Sequence, residues 1–203
     1  MRGGPPACSR RCSCAMAACK LERHLDRLGA SAAQLYGATL TSGLDTRARE
    51  HAAPLIGLHR LRIDALPAPG SPGASGSGDE SPDLDIDPTA TALDPSRPDR
   101  YACAPRRLPE GHGPHKLRDR TALGERPGAP VPLIVDDDGT VLEAAWANVW
   151  LLRERTLVTP PLDGRILPGT TRARLLELAP TLGSAVREEL VKLEDLRAAP
   201  VSR

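Results

Sequence analysis

Apolar positions change their spacing several times along this chain, and each change marks a new element. Leu21, Leu25, Leu28, Ala32 and Leu35 recur every three or four residues, which predicts a helix over 20–36 with one apolar face. His24, Arg27 and Ser31 form a polar stripe beside that face, where the plainest reading of Arg27 is a solvated charge. A second helix with weaker periodicity is expected over 45–56. The spacing then drops to two: Leu61, Ile63 and Ala65 alternate with polar residues through 58–66, as in a half-buried strand, and 83–93 repeats the alternation. Between these strands, P-A-P-G-S-P-G-A-S-G-S-G-D-E-S-P (67–82) has too few apolar groups to pack, so the pair reads as a hairpin with an oversized, flexible tip.

Beyond a possible strand at 101–108, the connector L-P-E-G-H-G-P-H-K-L-R-D-R (108–120) is rich in Gly, Pro and charge. That composition suits a domain boundary. Strands are expected at 131–135, 140–143, 147–152 and 156–159, the first two joined through the D-D-D-G turn at 136–139. A helix from about 170 carries Leu175, Leu178, Ala179 and Leu182 on one face. Pro180 should kink or end it, and Gly183 is placed to cap it. A strand at 185–191 and a last helical turn complete a mixed α/β chain.

Composition narrows the function. With 203 residues, one or two domains can each bury a core, and a formal net charge of +1 gives no reason to expect nucleic acid or an anionic membrane as partner. Cys8, Cys12, Cys14 and Cys19 crowd the first nineteen residues without the paired spacing that zinc requires, so no metal site is expected and residues 1–19 read as a disordered leader. The apolar part of that leader is too short for a secretory signal, and no run reaches the length of a membrane span. A soluble, cytoplasmic protein is the expectation.

Three short stretches could carry chemistry. In G-R-I-L-P-G-T-T-R (164–172), Pro and Gly precede a helix start whose first N–H groups lack intrahelical partners. Thr170 and Thr171 add hydroxyls, which suits either a phosphate or an ordinary helix cap. Glu143 ends the apolar strand V-L-E and is followed by A-A-W-A-N-V-W rather than a turn. It is either an edge residue facing water or a buried acid paired with a cation, such as a protonated heterocyclic nitrogen. Lys116 is one of three lysines against 24 arginines. Near His115, Arg118 and Arg120 it could become nucleophilic at neutral pH, although a plain surface lysine fits the pattern as well. A lysine, a buried acid and a phosphate cup together are the protein-side requirements of pyridoxal phosphate.

In this order and spacing, V-L-E-A-A-W-A-N-V-W, V-T-P-P and R-I-L-P-G-T-T-R resemble the fold-type IV pyridoxal-phosphate enzymes, the class IV aminotransferase family. H-L-D-R-L (24–28) resembles the family's H-x-x-R-L helix, and G-P-H-K-L-R-D-R its lysine segment. The resemblance spans about residues 20–66 and 84–199. It implies an α/β (α+β) fold of two domains, a small N-terminal α/β domain (20–108) and a larger β-rich domain (109–203), with the cofactor at their interface, and a homodimer. It also implies site roles: Lys116 as the catalytic lysine that carries pyridoxal 5'-phosphate, Arg27 and the Gly169–Thr170–Thr171 loop at the cofactor phosphate, Glu143 at the pyridine nitrogen, and Asn148 among the cofactor-binding residues. H-K-x-x-x-R at 115–120, without the K-x-G-G-N-Y of branched-chain transaminases, is more like the aminodeoxychorismate lyase branch. That branch makes 4-aminobenzoate and pyruvate for folate biosynthesis. A branched-chain or D-amino-acid aminotransferase is the alternative. Residues 1–19 match nothing in the family and the chain stops at A-A-P-V-S-R, so a chain shortened at both ends is expected. A catalytically inactive member, or an unrelated binding module for a phosphorylated ligand, would follow if the motifs do not assemble.

Overall fold

The computed structural model describes residues 8–68, 84–93 and 101–198, with side chains from residue 21 onward. The chain divides into two compact units, 1–97 and 98–203.

In the first unit, α1 (Cys8–Tyr36) and α2 (Leu44–Ala52) accompany the antiparallel hairpin β1 (His59–Pro67) and β2 (Leu84–Ala92). α1 begins well before residue 20, so residues 8–19 are helical where a disordered leader was expected. The cause is local: after Pro6 the run C-S-R-R-C-S-C-A-M-A-A-C-K contains no helix breaker and several strong helix formers. Residues 1–7 lie outside the described residues. α1 packs on α2 and β1, and α2 on β2, around Ala32, Ala38, Leu44, Ala48 and Ile86. α2 stops at Ala52 rather than 56: Ala53 still has helical backbone, at φ −58° and ψ −40°, but Pro54 has no N–H with which to continue the ladder. His59 pairs with Ala92 at one end of the hairpin and Pro67 with Leu84 at the other, as its alternating pattern predicts. The tip expected to be flexible (67–82) falls almost wholly outside the described residues.

The second unit holds two sheets. One has the order β10-β5-β4-β3, from Val191–Lys192, Thr140–Ala144, Val131–Val135 and Cys103–Arg107, with β6 (Ala147–Asn148) paired to β5. The other is β7-β8-β9, from Leu151–Arg153, Thr156–Thr159 and Ala185–Glu188. α3 (Thr170–Thr181) packs on β9, and α4 (Leu193–Ala198) on β10. Because β3 lies parallel to β4, residues 103–107 belong here, and the division falls at Arg97/Pro98 instead of 108/109. The expected strand 147–152 is two strands in different sheets, and so is 185–191, whose halves pair with β8 and β5.

β4 and β5 are buried on both faces. Leu133, Val135 and Val141 pack with Leu151, Val158 and Val191, while Ile134 and Leu142 pack on the opposite side with Leu123, Ala145 and Ile166. Each such fully buried aliphatic side chain contributes roughly 1.5–3 kcal/mol. α3 runs one residue past Pro180, and Gly183 follows in the left-handed region at φ 76°.

Candidate active site

The second cluster positions the chemistry. Its Ile166, 1% exposed, anchors the loop that leads into α3. Strict alternation along β5 would turn Glu143 to the side of Val141. The register shifts, however: Leu133 opposes Ala144 whereas Val135 opposes Val141, so β5 accommodates one extra residue. Such a bulge re-aims the side chain beside it. Glu143, 7% exposed, thus reaches the backbone next to Ile166, where its Oε2 accepts the Leu167 N–H at 3.3 Å. Asn148 stands opposite Glu143 across the β5–β6 hairpin, and its Nδ2 donates to the Leu167 carbonyl at 2.9 Å. Glu143 and Asn148 therefore clasp both polar groups of one peptide residue, two positions before the helix cap.

That cap is Gly169, at φ −69° and ψ 134°, with no side-chain cap bond. Glycine is required by space rather than by backbone angle. A Cβ here would stand 2.0 Å from Asn148 Oδ1. α3 follows with Thr170 half-buried and Thr171 exposed, and its first turn carries no acidic residue to compete for an anion. Burial pushes the Glu143 carboxyl up to about 7, against the pull of the Leu167 N–H and the positive charges of Arg120 and Lys116.

Lys116 is exposed and lies within electrostatic reach of Glu143. Its connector is fixed at both ends. Leu108 N–H donates to the Val135 carbonyl at 3.0 Å, and Gly113 N–H to the Arg165 carbonyl at 3.1 Å. Gly111, at φ 63°, lies against that same carbonyl, so close that a Cβ would come within 2.0 Å of the oxygen. Arg165 is held in turn by ion pairs to Asp136 and Asp163. At the far end, Asp119 Oδ1 accepts the Thr121 N–H at 2.9 Å and its hydroxyl at 2.8 Å. The connector is thus a packed element of the second unit, not a linker.

The second unit therefore brings together Lys116, Glu143, Asn148, Gly169, Thr170 and Thr171. Arg27 lies on α1 in the first unit, half-buried, with its Nη2 3.3 Å from His24 Nδ1; burial lowers its pKa. Two residues escaped the sequence reading, Arg165 just described and Arg172. Arg172 is 2% exposed, and its Nη2 donates to the Pro160 carbonyl at 3.0 Å and to Glu188 Oε2 at 2.8 Å. The visible signal was an arginine in a first helical turn that could otherwise point to solvent.

A buried acid, a lysine within electrostatic reach of it and a helix start with no acidic residue in its first turn all lie in the second unit. The family model described as Amino-transferase class IV matches residues 15–200. This chain belongs to that family. Against branched-chain-amino-acid aminotransferase 1, mitochondrial, of Arabidopsis thaliana, the class IV chain is 39% identical over 67 residues, 33% of this chain and 17% of the plant protein. The matched stretch spans about a fifth of the length of its curated relatives. Among solved structures, a hypothetical aminotransferase from Mycobacterium tuberculosis in its PLP-bound form superposes with a TM-score of 0.66 at 22% identity, covering 88% of this chain and 68% of that one. The 4-amino-4-deoxychorismate lyase from Pseudomonas aeruginosa gives 0.60 at 23% identity, covering 89% and 71%. The fold is accordingly that of the fold-type IV enzymes, and pyridoxal 5'-phosphate is the cofactor of the family. The residues here fit that group: a carboxyl whose pKa burial raises to about 7, a helix start with no acidic residue in its first turn, and a lysine within electrostatic reach of the carboxyl.

Proposed function

We propose that this chain is a pyridoxal-phosphate-dependent enzyme acting on a primary amine. The observation that carries the reading is the clasp of Leu167 by Glu143 and Asn148, which ties a buried acid to the start of α3. In this reading Lys116 carries the cofactor through its Nζ. The first turn of α3, with Gly169, Thr170 and Thr171, holds the phosphate, to which the H-L-D-R-L resemblance also assigns Arg27. Glu143 pairs with the ring nitrogen, where burial makes the carboxyl's partner a strong one. When bound, the cofactor supplies an electron sink for charge developing at the substrate's α-carbon. With its Nζ free, Lys116 would move the proton as general base and then acid. Asn148 does not need to touch the cofactor for its role: it fixes the loop that does.

For the overall reaction, the H-K-L-R-D-R segment favours 4-amino-4-deoxychorismate lyase, giving 4-aminobenzoate and pyruvate in folate biosynthesis. The names of the curated relatives favour an amino-acid aminotransferase, which becomes the second reading. A cytoplasmic homodimer belongs to the same proposal. The test begins with colour: the purified protein should take up the cofactor and turn yellow, and Lys116→Ala should abolish the adduct that borohydride traps. A wild-type protein that stays colourless would overturn the reading. Supplied with 4-amino-4-deoxychorismate, a lyase releases 4-aminobenzoate; turnover only with a 2-oxo acid and an amino donor selects the aminotransferase. Cofactor uptake without either turnover points to a catalytically inactive member.

A further inference from the structure

The first turn of α3 does not stand by itself. Arg172, its third residue, is turned inward instead of to solvent and is 2% exposed. Its Nη2 bridges the Pro160 carbonyl and Glu188 Oε2, at 3.0 and 2.8 Å, and its Nε has no partner among the described residues. Both acceptors lie at one end of the β7-β8-β9 sheet. Thr159 pairs with Glu188 in parallel register, Glu189 N–H donates to the Thr159 carbonyl at 3.0 Å, and the Thr159 hydroxyl donates to the Val149 carbonyl at 2.8 Å. That sheet end is hydrogen-bonded to its neighbours, and the Arg172 guanidinium ties the helix start to it.

A buried arginine is expensive to desolvate unless its geometry is fixed, and it leaves a donor unmatched here, so general packing is a poor account of its presence. An anion site at a helix start depends on where the N–H groups point, and they move with the first turn. We infer that Arg172 is a positioning residue for the phosphate end of the cofactor, acting through the first turn of α3 with Glu188 as its partner. This rests on the proposed cofactor site. It adds that the site's discrimination for a phosphorylated ligand is set from beneath the helix by residues that do not touch the ligand.

The experiment compares pyridoxal 5'-phosphate with pyridoxal, which lacks only the phosphate, by absorbance titration of the cofactor-free full chain. Wild type is run beside Arg172→Lys, which keeps the charge but not the longer, planar guanidinium whose Nη2 makes the bridge, and Glu188→Ala, which removes a half-exposed partner and leaves Arg172 in place. Arg172→Lys should weaken pyridoxal 5'-phosphate binding about ten-fold, and Glu188→Ala several-fold, with pyridoxal binding unchanged in both. Inorganic phosphate should compete less well by the same factors. Equal losses for the two ligands would make Arg172 a structural residue only and overturn the inference, as would no loss in either variant. Glu188→Ala carries the comparison if Arg172→Lys fails to fold. A wild type that binds both ligands equally well would instead overturn the phosphate site itself, a result separable from the other two.

Discussion

Replacing Glu143 by Gln in the cofactor-free protein should remove one specific pH dependence of stability. The side chain is 7% exposed, and burial raises its carboxyl from 4.5 to about 7. A raised carboxyl means that the folded chain binds more protons than the unfolded chain between those two values. Stability therefore falls as pH rises through that window and levels off above it. At about 1.4 kcal/mol for each tenfold change in proton affinity, the full effect is roughly 3 kcal/mol, of which roughly 2–3 kcal/mol separates pH 5 from pH 8. Gln has the same shape and can accept the Leu167 N–H through its amide oxygen, but it cannot ionise.

Urea unfolding at pH 5 and pH 8 measures this directly. The variant should match wild type closely at pH 5 and exceed it by about 2–3 kcal/mol at pH 8, with unchanged denaturant slopes. Taking the difference between the two proteins cancels every other titrating group. If both lose or keep stability in parallel across that range, Glu143 is ionised and well solvated, and the case for a buried partner acid collapses.

Two further outcomes test the loops around it. Gly169→Ala drives a methyl group to within 2.0 Å of Asn148 Oδ1 and should destabilise the chain by about 1–3 kcal/mol by thermal melting; adding Asn148→Ala should recover part of that loss, since the clash then has no second partner. Gly111→Ala combines a positive φ of 63° with a contact on the Arg165 carbonyl. It should cost on the order of 1–3 kcal/mol and also lower the yield of the borohydride-trapped adduct at Lys116, because the connector must shift.

Much of the second unit can be read from residue spacing because its strands are short, apolar and separated by Gly, Asp and Pro. β4 and β8 fall where alternation and turn signals place them, and so does the start of α3. What spacing does not carry is the identity of the partner strand. C-A-P-R-R has almost no buried face, so nothing in it announces a parallel pairing with β4, and the connector after it reads as a boundary although hydrogen bonds to Val135 and Arg165 hold it inside the unit. The same limit splits 185–191: E-E-L looks continuous locally, yet its two sides answer to different sheets.

The site shows this division most sharply at two charged residues. Glu143 is conspicuous in sequence because a carboxylate follows an apolar strand, but its direction depends on the extra residue that β5 accommodates opposite Leu133–Val135 of the neighbouring strand. Arg172 is inconspicuous because a first-turn arginine is ordinarily solvated, and only the ends of β8 and β9 make it a bridge. Local pattern therefore reveals which groups could do chemistry, while long-range pairing decides which way they face. In this fold Asn148 and Arg172 aim the site by donating to backbone carbonyls of distant segments, and Arg165 does so by offering its own carbonyl to Gly113. A search confined to titratable side chains near the lysine and the acid would pass over all three.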